Sequence, residues 1–157
     1  MQAFRDTSGR EWQISITTHA AKRVRDLVGF DMLDESDEQR FPRLFTDVIL
    51  LVDVLYAVCK PKADELKMTD EQFGEALVGD VIADARAALV GSIADFSPAP
   101  KRAIHLKTIA KMAEAEAVAM ELASDRADEI NVRAMLLAQV GKLSTASPDT
   151  SALTPAP

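Results

Sequence analysis

The feature that most limits what this chain can fold into is one long apolar run, from Leu44 to Cys59. Apolar residues fall on more than one side of the helix that this run would form, which is typical of a helix buried at the centre of a domain. The run contains Asp47 and Asp53 and is shorter than the roughly 20 apolar residues that cross a bilayer. We therefore expect a core helix, which Pro61 ends or kinks because proline lacks an amide hydrogen.

Residues 2–17 carry the only strand pattern in the sequence. Trp12, Ile14 and Ile16 alternate with polar residues, which is the period of a half-buried strand. A turn-rich cluster at residues 6–9 precedes them, and residues 2–6 are long enough to pair back as a β-hairpin. Because an isolated hairpin is marginal in water, we expect Trp12 to anchor it on an apolar surface.

Helical signals dominate the following segments. Thr18 predicts the N-cap of a first helix and Gly29 its end, and the acidic residues 31–38 then predict a solvated loop. Residues 69–72 form a capping box, with Thr at its first position and Gln at its last. The stripe from Ile82 to Phe96 predicts another helix, which the following Ser-Pro-Ala-Pro segment stops.

Residues 101–140 contain neither proline nor glycine and are rich in Ala, Glu, Lys and Met. They predict one long helix that ends at Gly141, with a break near Ser124-Asp125 as the alternative. The last residues lack the apolar mass to fold, which predicts a disordered tail. The predicted divisions are a hairpin plus helical core over 1–98, a long helix over 99–141 that belongs to the same domain or projects as an arm, and a low-complexity tail over 142–157.

The predicted fold is mainly α. It has a short N-terminal β-hairpin, a domain of four to five helices, a long C-terminal helix and a disordered tail.

Composition limits the classes of function that the chain can have: it has 157 residues, a net charge of −7 and one cysteine. The acidic balance disfavours a protein that grips a nucleic acid backbone, and no signal peptide or membrane span is visible. We expect a cytoplasmic protein that does not act on a membrane.

Catalytic and metal-binding signatures are missing from the sequence. His19 and His105 lie far apart, Cys59 has no His or Cys neighbour, and no phosphate-binding glycine loop is present. We expect one core cysteine and two surface or boundary histidines. The sequence therefore predicts no enzyme, no catalytic residue, no metal site and no cofactor.

Asp47 and Asp53, which interrupt the apolar run, are the residues that leave a catalytic or metal-binding role as an alternative. A buried carboxylate is costly unless it is paired or protonated, so acid/base or metal chemistry is one interpretation. The favoured interpretation places each at a helix edge, paired with an arginine such as Arg43, Arg23 or Arg25. Glu114 and Glu116 lack the spacing of a magnesium-binding acidic helix.

The long helix offers two candidate partner-binding features. Its first turns are basic although the chain is acidic, and positive charge there opposes the helix dipole. Either the acidic loop 31–38 or an acidic partner would compensate. The second feature is an apolar stripe with small and Met residues, which would accept a partner helix or instead form the core or a homo-oligomer interface. The candidate partner-binding residues are Lys101, Arg102, Lys107, Ile109, Met112 and Met120.

The order of the fold-determining residues resembles that of a known family. The residues concerned are Phe4, Asp6, Gly9-Arg10, Trp12, Asp53-Val54-Leu55-Tyr56, Lys60-Pro61, Phe73, Leu77, Gly79-Asp80 and Phe96. In this order the chain is similar, over about residues 2–100, to the tail assembly chaperones of long-tailed bacteriophages and prophages. The long helix and the tail match more loosely.

The resemblance implies a non-enzymatic role in the bacterial host cell. Such chaperones bind the long, helical tape-measure protein, keep it soluble, and help to recruit tail-tube subunits around it. In many relatives a programmed frameshift adds a C-terminal extension. Because the long helix exceeds that of a minimal chaperone, a structural adaptor or connector of the virion is an alternative. A small all-α metal-dependent nucleotide hydrolase is the alternative from another class.

Overall fold

The N-terminal hairpin forms as the alternation predicts. In a computed structural model that describes residues 2–130 and 132–144, β1 (Gln2–Arg5) pairs with β2 (Glu11–Ile14) in antiparallel register, with Phe4 opposite Trp12. Phe4, Trp12 and Ile14 are all buried on one face of this ribbon. The Trp12 ring packs edge-on against Phe73, with 4.9 Å between ring centroids. The ribbon is therefore anchored on an apolar surface, as expected for so short a sheet.

Seven helices follow within the described residues. They are α1 (Thr18–Val28), α2 (Arg40–Thr46), α3 (Val48–Glu65), α4 (Asp70–Glu75), α5 (Asp80–Phe96), α6 (Ala99–Glu129) and α7 (Val132–Ser144). The predicted class, mainly α with a two-stranded N-terminal hairpin, is confirmed. Within the described ranges, no helix has the length and apolar character needed to span a membrane.

The chain divides into two compact units, residues 1–115 and 116–157. The first unit reaches beyond the predicted division at residue 98 and includes the first half of α6. The predicted long helix over 99–141 is represented by α6 followed by α7, and α7 continues past Gly141 to Ser144. Residues 145–157 of the predicted disordered tail lie outside the described residues.

In the first unit the apolar helix is central. α3 packs against α1, α2, α4, α5 and the hairpin, and eight of its residues are buried. α5 packs against both strands of the hairpin and against α3, and it buries the stripe residues Ala85, Leu89 and Ile93, whereas Phe96 is exposed. The capping box at Thr69 and Gln72 is present, with both of its hydrogen bonds.

Two helix starts differ from the prediction. The run from Leu44 to Cys59 is not one helix, because Asp47 interrupts it and caps α3 by accepting a hydrogen bond from the Leu50 amide at 3.0 Å. Helix α1 is capped by Thr17 rather than by Thr18, since the Thr17 hydroxyl accepts from the Ala20 amide. Both are polar side chains that satisfy free amides at a helix start.

The hairpin turn is fixed by one buried carboxylate. Asp6, whose side chain has 0% exposure, accepts hydrogen bonds from the amides of Ser8 and Arg10, from Arg10 Nε and from Trp12 Nε1, at 2.9 to 3.0 Å. Burial by itself would raise the pKa of Asp6, but the Trp12 hydrogen bond, the two amides and the Arg10 charge together lower it. The carboxylate therefore stays ionised inside the fold.

We expect Asp6→Ala to destabilise the protein by about 3 kcal/mol, because the buried Trp12 Nε1 and neighbouring amides lose their acceptor. Urea unfolding followed by Trp12 fluorescence measures this change. The control is Asp84→Ala, at an exposed aspartate on α5, which should change the unfolding free energy by less than about 0.5 kcal/mol. Equal unfolding free energies for the two variants would contradict this role of Asp6.

Helix α3 does not end at Pro61 but continues to Glu65. A proline inside a helix leaves the carbonyl four residues earlier without its amide donor, here the carbonyl of Ala57. Arg23 of α1 supplies the replacement: its Nε donates to the Ala57 carbonyl at 2.5 Å, and its Nη2 donates to the Val58 carbonyl at 3.0 Å. Arg23 thus allows α3 to continue past Pro61.

A double-mutant cycle tests this compensation. We expect Arg23→Met to lower the free energy of unfolding by about 2 kcal/mol in the natural background, because two carbonyls lose a charged hydrogen-bond donor. In a Pro61→Ala background the same substitution should cost less than about 1 kcal/mol, since residue 61 then donates to the Ala57 carbonyl. Lys22→Met, at the adjacent exposed cation, controls for loss of charge. Chemical unfolding measures all the variants, and an identical Arg23 cost in both backgrounds would reject the compensation.

Candidate partner-binding surface

The basic residues at the start of α6 are mostly engaged within the first unit. Lys101 forms an ion pair with Glu35 in the acidic loop, and this hydrogen bond is the largest cause that lowers the pKa of Glu35. Arg102 donates to the carbonyls of Asp95 and Ser97 at 3.2 and 3.4 Å. Lys107 is exposed. The sequence left two sources of compensating negative charge open, the acidic loop 31–38 and an acidic partner. Lys101 contacts the acidic loop.

The apolar candidates on α6 separate into two groups. Ile109 and Met112 are partly buried and pack against the core of the first unit. Met120, by contrast, is 69% exposed. The three residues have similar helical spacing in the sequence, but only Met120 offers a free apolar side chain to a partner.

Met112 and Met120 therefore form a matched pair for mutation. We expect Met112→Ala to lower the unfolding free energy of the chain by about 1 kcal/mol, because it removes half-buried contacts with the core. Met120→Ala should change it by less than about 0.5 kcal/mol, because its side chain is exposed. Urea titration of both variants measures the difference, and a larger loss at Met120 would contradict this placement.

The second unit exposes an unusual density of large apolar side chains. We call these residues the 118–140 apolar surface: Val118, Met120, Leu122, Ile130, Met135, Leu136, Leu137 and Val140, all of which are exposed. Single exposed apolar residues are ordinary, but a concentration of this kind over two helices and the residues between them typically marks an interaction site.

The apolar side chains of this surface do not form one narrow stripe. On α6, Val118 and Leu122 are four residues apart and share a face, whereas Met120 points to roughly the opposite side. On α7, Leu136 and Leu137 lie side by side with Val140 one turn further on. On α7 the apolar side chains fall on several sides of the helix, so this surface is suited to being covered by another chain.

The acidic candidates are not brought together. Asp47 serves as the α3 N-cap, and Asp53 is exposed on the same helix. Neither forms an ion pair with Arg43, Arg23 or Arg25 within the described ranges, so the arginine pairing predicted for them is wrong. Among residues 2–130 and 132–144, no three His, Cys, Asp or Glu side chains are grouped so that they could hold a metal ion.

The histidines and the cysteine have separate surroundings. His19 is exposed on α1 and His105 is half-buried on α6. Cys59 is buried in the core, as predicted, and burial raises the pKa of its thiol to about 12. A thiol in this state is protonated at neutral pH and is a poor nucleophile.

Comparison of the chain with protein-family models, with curated protein sequences and with solved structures found no significant match.

Sequence reasoning located Met120 but missed most of the 118–140 apolar surface. The signal was present, since Met135, Leu136 and Leu137 are consecutive apolar residues near the C-terminal end of the described chain. A helix with no polar face in that region indicates a covered surface rather than a solvated arm.

Proposed function

We propose that this protein is a non-enzymatic tail assembly chaperone, which binds the helical tape-measure protein of a bacteriophage or prophage and helps to recruit tail-tube subunits. The observation that carries the proposal is the 118–140 apolar surface, whose eight large apolar side chains are all exposed. The similarity of residues 2–100 to the chaperone family supplies the class of partner. The proposed location is the cytoplasm of the bacterial host cell.

The chemistry of the surface suits a long apolar or amphipathic helix. Helix-in-groove recognition uses apolar side chains spaced by three and four residues, as Val118 and Leu122 or Leu137 and Val140 are. Met120 and Met135 are unbranched and adapt to differently shaped partner side chains. Each side chain that becomes fully covered contributes roughly 1.5–3 kcal/mol, which several such side chains together set against the entropy cost of association.

The basic cluster has a smaller part in this proposal. Lys107 is the candidate cation that remains for an acidic segment of the partner, because Lys101 and Arg102 contact Glu35, Asp95 and Ser97. An exposed ion pair contributes little to affinity. The apolar surface is therefore proposed as the main binding site.

Co-expression with the tape-measure protein of the same phage or prophage genome tests the proposal. We expect the natural chain to raise the soluble yield of that protein and to co-purify with it. A triple variant, Met120→Gln, Met135→Gln and Leu137→Gln, keeps helix propensity but removes apolar area, and should reduce the co-purified amount at least about tenfold.

The matched control is Leu27→Gln, Ile49→Gln and Val78→Gln, which removes three exposed apolar side chains from the first unit. We expect it to retain the tape-measure protein. Equal losses in the two triple variants, or an insoluble and unbound tape-measure protein with the natural chain, would reject the proposal. Size-exclusion chromatography with light scattering shows whether a second copy covers the surface instead.

The 118–140 apolar surface equally supports the alternative role, that of a structural adaptor of the virion. The two roles differ in where the protein is found after assembly. A chaperone should be missing from purified particles, whereas an adaptor should remain in them in fixed proportion. Mass spectrometry of purified particles distinguishes the two.

A further inference from the structure

The start of α2 holds a buried cation without a carboxylate partner. Arg40 is 5% exposed, and its Nη1 donates to the Asp34 carbonyl at 3.1 Å. Its Nη2 lies 3.2 Å from His105 Nε2 on α6, and its Nε has no hydrogen-bond partner. In the part of the chain that the structure describes, no carboxylate comes within ion-pair distance of this guanidinium. His105 is therefore one of the few acceptors that Arg40 has.

The contacts of His105 determine its protonation state. A guanidinium only donates hydrogen bonds, so His105 Nε2 must accept from Arg40. The proton of the neutral ring is then on Nδ1, which donates to the hydroxyl of Ser97 at 3.2 Å. The ring also packs edge-on against Phe41, with 5.4 Å between centroids. The docked helix thus requires a neutral histidine of one tautomer.

The charges around His105 come from three segments. Arg40 approaches from α2, Glu35 from the acidic loop, and Lys101 from the preceding turn of α6. Burial is the largest cause that lowers the pKa of His105, Arg40 and Lys101 lower it further, and Glu35 opposes them. Asp34, Asp37 and Asp31 act on Arg40 from the same loop.

We infer that the Arg40–His105–Ser97 contact is a pH-sensitive latch, which holds the first turns of α6 on α2 when His105 is neutral and releases them when His105 is protonated. Protonation removes the acceptor for Arg40 and places a second cation about a hydrogen-bond length from it. The latch is independent of the 118–140 apolar surface and does not rest on the proposed function.

The direction of the pH dependence follows from linkage. In the undocked state His105 has an ordinary pKa of about 6.5, and in the docked state its pKa is lower, so the undocked state binds more protons. Docking is therefore strongest above about pH 6.5 and weakens as the pH falls below it. Between about pH 7.5 and about pH 5.5 the opening equilibrium should rise by up to about tenfold.

Hydrogen exchange of the α6 amides over residues 101–112, corrected for intrinsic exchange rates, measures this opening on the full chain. In the natural protein we expect the opening equilibrium constant to be larger at the lower pH, by several-fold and at most about tenfold. His105→Gln offers an acceptor that does not titrate, so its opening should be nearly independent of pH over this range. His19→Gln removes the exposed histidine and should behave like the natural protein.

A second measurement keeps the inference testable if His105→Gln undocks α6 at every pH. Nitrogen-15 NMR of the natural protein should give a pKa for His105 below the ordinary histidine value of about 6.5, with the proton on Nδ1 in the neutral form. A His105 pKa at or above about 6.5, a proton on Nε2, or the same pH response in the natural protein and His105→Gln would each overturn the latch.

Discussion

The hydrogen bonds of the Asp6 carboxylate are the interaction on which the first unit depends. Two strands of four residues are not stable in isolation. Their turn is held in place because the Asp6 carboxylate accepts hydrogen bonds from the Arg10 amide and from Trp12 Nε1. The bond to Trp12 Nε1 also fixes how the indole meets Phe73, which in turn packs on Tyr56 of the central helix. A local turn is thus connected to the middle of the core through one ionised group.

Much of this architecture could be predicted because the signals are local. Alternation of Trp12 and Ile14 indicates a strand whatever it packs on, and the capping box at Thr69 satisfies its own amides. The buried positions of α5, such as Leu89 and Ile93, likewise follow from helical spacing alone. Such features depend on neighbours within a few residues, so the local sequence is enough to predict them.

Other features depend on groups that lie far away in the sequence. Pro61 predicts a helix end unless a donor is available elsewhere, and here Arg23 of another helix is that donor. Asp47 resembles a buried charge in an apolar run until the helix is seen to begin beside it. On α6, spacing places Ile109, Met112 and Met120 in one pattern, but only packing decides which of them is covered. The second unit gives the candidate site, whose proposed partner is another molecule.

The contact between Arg23 and the carbonyl of Ala57 also links two positions as the sequence changes over time. While proline occupies position 61, position 23 must supply a long side chain with a charged donor, because Arg23 provides the hydrogen bond that replaces the missing amide. Once position 61 accepts any other residue, that requirement disappears and position 23 becomes free to vary. Among homologous chains, arginine at 23 and proline at 61 should therefore be inherited together and lost in a fixed order, the proline first.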